Sequence, residues 1–185
     1  MVADACYIAC NEIYEDGVGW VSNGTSEPTL FITTELELEE IQTMMLAFVS
    51  NVNESKILNG EYLDDEEERV LKACEILKNS PLYIEEMPDF SLKDIENTVK
   101  RNVRENNVSY IFFDYLHSSL KILEEISSRT SGMKLREDTI LFMISIRLKD
   151  LCNELGVFIM TATQLNGAWA EATLDQTNQN LLRGM

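Results

Sequence analysis

Four apolar or aromatic residues, Tyr110-Ile111-Phe112-Phe113, run straight into Asp114. A run this short, rich in strand-forming types and without polar alternation, reads as a strand covered on both faces, as in parallel sheets flanked by helices. An acid at the carboxyl end of such a strand stands where open α/β sheets gather their ligand chemistry. A second run, Val157–Thr163, has the same character and leads into Gln164. The sequence therefore predicts two buried strands, each delivering one polar group to the same sheet edge. A nucleotide and metal site is the expectation that follows.

The rest of the chain alternates in kind. Met1 to about Tyr14 reads as a helix with no cap ahead of it. Val18–Val21 and Thr29–Thr33 are strand-like and flank the turn-rich Ser22–Pro28. Thr34 with Glu37 offers a capping box for a helix whose core stripe is Leu38, Ile41, Met45 and Phe48. Helical segments at Glu54–Leu58 and Asp65–Lys78 follow, the latter with Val70, Cys74 and Leu77 on one face. Pro81–Glu85 reads as a short strand. Ser91 with Asp94 opens a helix buried on Leu92, Ile95, Val99 and Val103. Ser127–Gly132 reads as a polar loop. A long helix from about Leu135 to Leu155 aligns Leu141, Ile144, Leu148, Leu151 and Leu155, and Gly156 ends it. Strands alternating with helices at these spacings predict parallel βαβ units with right-handed crossovers, hence an α/β fold in a single domain over 1–185. From Glu171 to Asn180 periodicity is lost, and 166–185 reads as a flexible loop or tail.

Charge narrows the function classes. With 32 acidic against 15 basic residues the net charge is −17, which argues against these residues gripping nucleic acid unaided, since phosphate contacts need clustered Lys and Arg. Cys6 and Cys10 lie four apart, so a metal pair is conceivable. The only histidine, His117, is distant, and small buried thiols are the simpler reading. Four thiols without a disulfide-like framework suit a reducing interior. No apolar stretch reaches the roughly 18 residues of a membrane span, and the N-terminus lacks a signal peptide's basic lead. The expected location is cytoplasmic, with no membrane partner.

Three residues stand at the ends of expected strands: Glu35, Asp114 and Gln164. Cleavage of a nucleoside triphosphate uses groups of these kinds. One carboxylate orients magnesium through water, a second polarises the attacking water, and a neutral amide can sense the γ-phosphate. At these residues the chain resembles the DnaB-type replicative helicases. Phe31-Ile32-Thr33-Thr34-Glu35-Leu36 is similar to that family's strand-plus-glutamate motif, and Leu82-Tyr83-Ile84 with the Ser91–Arg104 helix is similar to the segment before its Walker B strand. Tyr110 to Leu116 resembles the Walker B motif, Ser145–Val157 the long helix and next strand, and Thr163-Gln164-Leu165-Asn166 the glutamine sensor. The resemblance runs from about residue 29 to Arg183. It implies a RecA-like, mostly parallel sheet with helices on both faces, incomplete at both ends. It implies Glu35 as catalytic base, Asp114 as the magnesium-orienting acid and Gln164 as γ-phosphate sensor, with ATP and Mg as cofactors. It further implies a homo-hexamer on single-stranded DNA, met by loops near 124–134 and 166–182, where Arg129, Lys134, Asn166 and Arg183 are the candidate contacts. His117 stands where the family commonly has a glutamine.

One part of the pattern is missing. No GxxxxGK[ST] occurs, and none of the eight glycines precedes a lysine, so these residues hold no cradle for the β- and γ-phosphates. In this fold that loop lies between the first strand and first helix, and the chain opens inside what reads as that helix. The expectation is a piece of a longer helicase, inactive alone and monomeric or weakly dimeric. The alternatives are a catalytically dead RecA-like scaffold for a protein partner, or another RecA-family ATPase of recombinase or clock type.

Overall fold

The structure is a computed structural model that describes residues 1–129 and 136–164. Four strands form one parallel sheet in the order β4-β3-β5-β6: β3 is Thr29–Thr33, β4 Leu82–Glu86, β5 Tyr110–Leu116 and β6 Phe158–Thr163. Helix α1 (Val2–Ala9) precedes a separate antiparallel hairpin of β1 (Glu12–Glu15) and β2 (Gly19–Ser22). Helices α2 (Leu38–Ser50), α3 (Glu54–Asn59) and α4 (Glu66–Asn79) connect β3 to β4. Helix α5 (Leu92–Asn106) leads to β5, and α6 (Leu120–Arg129) and α7 (Glu137–Leu155) lie between β5 and β6.

Side chains alternate across the sheet and both faces are covered at its centre. Leu30, Ile32, Ile111 and Phe113 pack with Ile95 and Val99 of α5 and Ile140, Ile144, Leu148 and Leu151 of α7. On the opposite face Phe31 and Phe112 meet Ala5 and Cys6 of α1 and Ile41, Met45 and Val49 of α2. All five residues of β3 are buried as a result, which accounts for the unalternating apolar runs. Phe113 also stands edge-on to Phe90, with ring centroids 5.4 Å apart.

Several local expectations hold. Ser91 and Asp94 form the capping box of α5, Ser91 Oγ accepting from the Asp94 amide at 3.1 Å and Asp94 Oδ2 from the Ser91 amide at 3.0 Å. Gly156 closes α7 at φ 69°, the left-handed region a side chain disfavours. Cys6 and Cys10 are buried, whereas Cys74 is exposed.

Others need correction. The first helix stops at Ala9 rather than Tyr14, because Cys10 is extended and Ile13 and Tyr14 join the hairpin, where Tyr14 stacks edge-on against Trp20 at 5.6 Å. The second strand starts at Gly19, since Val18 belongs to the hairpin turn and is exposed. The box opening α2 is Glu37 with Glu40, not Thr34 with Glu37. Thr34 is buried at 4 % exposure and its hydroxyl is engaged elsewhere. On α4 the buried residues are Val70 and Ala73, so the stripe is one position away from Cys74. The largest difference is β6, expected to be buried. Among the described residues β6 pairs only with β5, as an edge strand, leaving Phe158 51 % and Met160 37 % exposed.

Two substitutions test this core. Phe113→Ala should lower unfolding free energy by about 3–5 kcal/mol, and Ser91→Ala by about 1 kcal/mol through loss of the cap. Urea denaturation followed by far-UV circular dichroism measures both, with the order of the two losses as the discriminating result.

Candidate active site at the carboxyl edge of the sheet

The parallel register decides which polar groups meet. Thr33 at the end of β3 lies opposite Asp114 in β5, which puts Glu35 just past one strand end and Asp114 beside it on the next. Leu116 lies opposite Thr163, after a register irregularity between Phe113 and Leu116, and Gln164 follows directly. All three polar residues singled out in the sequence therefore reach one edge of one sheet. Glu35 and Asp114 are close enough to feel each other's charge. Gln164 sits one strand further on, lining a cavity of about 650 Å³ with Tyr115, His117, Arg136 and Glu137 among others.

Electrostatics single out the carboxylate pair. Burial pushes the Asp114 carboxyl above its ordinary value; the Met1 ammonium works against this, and the Glu35 carboxylate adds to it. The Tyr115 phenol is pushed up as well, chiefly by burial and then by the nearby Glu35 carboxylate. Two neighbouring carboxylates, one of them poorly solvated, make a hard oxygen environment with surplus negative charge. A divalent cation held through water fits that environment. Among the described residues no group of three or more His, Cys, Asp or Glu side chains could enclose a metal.

Sequence reasoning missed two participants. The Thr34 hydroxyl accepts from the Tyr115 amide at 3.0 Å and lies 3.1 Å from the carbonyl oxygens of both Asp114 and Tyr115. The Thr34 amide also donates to the Asp114 carbonyl at 2.9 Å. Thr34 resembled a helix cap, and Tyr115 only a part of the Walker B-like run. Their contacts span 80 positions of sequence, and no local pattern reports them. His117 is partly buried between Phe90, at 5.0 Å, and Tyr115, at 5.5 Å. The Arg129 side chain, Lys134, Asn166 and Arg183 lie outside the described residues, as does the segment 166–185.

A parallel sheet with two carboxylates and an amide on its carboxyl edge narrows the field to nucleotide-handling α/β folds. Comparison with known families decides among them, for residues 11–179 match the profile of the DnaB-like helicase C-terminal domain. The chain belongs to this family. It is 47% identical over 175 residues to an uncharacterised SPbeta prophage-derived protein, YorI, of Bacillus subtilis, covering 94% of this chain and 34% of that one. It is 31% identical over 142 residues to the replicative DNA helicase DnaB of Buchnera aphidicola, covering 76% and 29%. The chain thus spans about a third of the length of these relatives. Among solved structures, an ATPase domain matches with a TM-score of 0.63 at 16% identity, over 78% of this chain and 49% of that one. A DnaB-like replicative helicase studied with primase matches at 0.61, also at 16% identity, over 76% and 32%. The fold of this DnaB-like domain is thus RecA-like α/β. Neither the scaffold nor the recombinase reading is favoured by these matches.

The raised Asp114 carboxyl carries a sign. Its folded state holds the proton more tightly than the unfolded chain does, so its contribution to stability is present at acid pH and lost as pH rises through the folded value. Asp114→Asn should therefore raise the melting temperature at pH 7, with the gain vanishing below about pH 4, near the unfolded carboxylate's range. Thermal unfolding of the two proteins from about pH 3.5 to 7 checks this; a variant less stable at pH 7 would oppose it.

Proposed function

We propose that this chain forms part of the ATPase core of a replicative-type DNA helicase, which couples ATP hydrolysis to movement along single-stranded DNA and so unwinds duplex. The observation that carries the reading is the meeting of Glu35 and Asp114 at the sheet edge that also ends in Gln164, in a chain of the DnaB-like family. Magnesium, when bound with ATP, would supply charge neutralisation of the transferred phosphoryl group. Asp114 would hold that ion through water. Glu35 would take the proton of the attacking water. Gln164, at the mouth of the neighbouring cavity, would face the γ-phosphate and pass its presence to the residues that follow.

The other elements of an ATP site come from outside these residues. With no GxxxxGK[ST] in the chain, the phosphate cradle must be contributed elsewhere. We assign 1–185 to one core domain that works in a hexameric ring with single-stranded DNA at its centre, in the cytoplasm. Arg129, Lys134, Asn166 and Arg183 would provide DNA contacts. A net charge of −17 is high for a DNA-tracking ring, so either the basic parts lie in other segments or the grip is weak. Among the described residues no helix is long and apolar enough to cross a membrane.

Two outcomes follow. The purified 185-residue chain should show no magnesium-dependent ATPase activity in a phosphate-release assay, and should be monomeric or weakly dimeric by light scattering. In the intact gene product, Glu35→Gln should lower kcat for ATP by about 10²-fold or more while ATP still binds. Activity in the short chain would refute its expected inactivity alone, and wild-type turnover by the Gln variant would refute the role proposed for Glu35.

A further inference from the structure

The two carboxylates stand on separate strands, and the residue before one of them reaches across to the other strand. Thr34 comes immediately before Glu35, and its hydroxyl and amide hold the peptide immediately after Asp114. The hydroxyl receives the Tyr115 N–H at 3.0 Å, with the Asp114 and Tyr115 carbonyl oxygens each 3.1 Å away as acceptors for its proton, and the Thr34 amide adds a 2.9 Å bond to the Asp114 carbonyl. Tyr115, immediately after Asp114, thus has its amide tied to the residue that leads into Glu35.

We infer that Thr34 is a positioning residue, a brace that fixes the spacing of Glu35 and Asp114 at the sheet edge. The inference rests on the proposed ATPase reading and deepens it. The strand ladder alone does not set this spacing. Its register is regular only as far as Thr33–Asp114 on β3–β5, and it becomes irregular between Phe113 and Leu116 on β5–β6. Beyond that point the backbone is held by side-chain bonds. Thr34 is 4 % exposed, so water does not compete for its hydroxyl. Two like charges held side by side repel, and the pair keeps one geometry only where the surrounding bonds overdetermine it. A base and a metal-orienting acid need such fixed geometry, because a displacement of about 1 Å can cost about 10²-fold in rate.

Thr34→Val keeps the shape and removes the hydroxyl, and Thr34→Ser keeps the hydroxyl. In the intact gene product, Thr34→Val should lower kcat for ATP about tenfold or more with KM changed less than about twofold, and Thr34→Ser should restore kcat. A merely structural tie would lower the melting temperature and leave kcat of the folded enzyme alone. Wild-type kcat in Thr34→Val, or a loss that Thr34→Ser fails to repair, overturns the inference. If Thr34→Val does not fold, Thr34→Ala carries the same test. If the wild-type protein hydrolyses no ATP, the functional reading fails, and the brace is then read from amide hydrogen exchange at Tyr115 in this chain. Exchange should quicken about tenfold or more in Thr34→Val and stay slow in Thr34→Ser; equal exchange in all three proteins overturns the brace itself.

Discussion

The parallel pairing of β3 with β5 governs both the stability of this domain and its chemistry. It places Thr33 opposite Asp114, and from that alignment the meeting of Glu35 with Asp114 follows. The same pairing sets Phe31 beside Phe112 on one face and Ile32 beside Phe113 on the other, so that both helical layers have an apolar surface to cover. A slip of one residue would turn each of these side chains to the wrong face and part the two carboxylates. Core and site therefore share one constraint, and the burial that holds the strands together also raises the Asp114 carboxyl.

Much of this was legible because parallel strands buried on two faces leave a distinct signature. Tyr110–Asp114 and Thr29–Thr33 announce themselves by apolar runs, and the Ser91–Asp94 cap and Gly156 stop mark helix ends by residue chemistry. Glu35, Asp114 and Gln164 could be placed at one edge because each follows or ends such a run. What escaped is long-range. Whether Val157–Thr163 is central or at an edge depends on which strands flank it, and its composition is the same either way. Ile13 and Tyr14 continue a helical pattern until Trp20, further along the chain, recruits them into a hairpin. Thr34 offered a hydroxyl that suits a helix cap, but the partner it takes lies in a distant strand.

The electrostatic character of the edge is the other outcome of the fold. Glu35 and Asp114 are near enough for the charge of one to raise the other, and the Tyr115 phenol beside Glu35 is pushed up as well. Left alone, such a pair costs stability. In the proposed function, a hard divalent cation and a polyphosphate would turn the same surplus negative charge into a means of orienting metal and water. A local cost of this kind, in an otherwise well-packed sheet, is what a functional site looks like in energetic terms.

The most direct measurement is a structure of the intact gene product bound to magnesium and a non-hydrolysable ATP analogue. The account predicts the ion joined to Asp114 through water, the Glu35 carboxylate beside the water in line with the γ-phosphate, and Gln164 turned to that phosphate. A nucleotide bound away from the carboxyl edge of β3 and β5, or an ion that leaves Asp114 untouched, would contradict it.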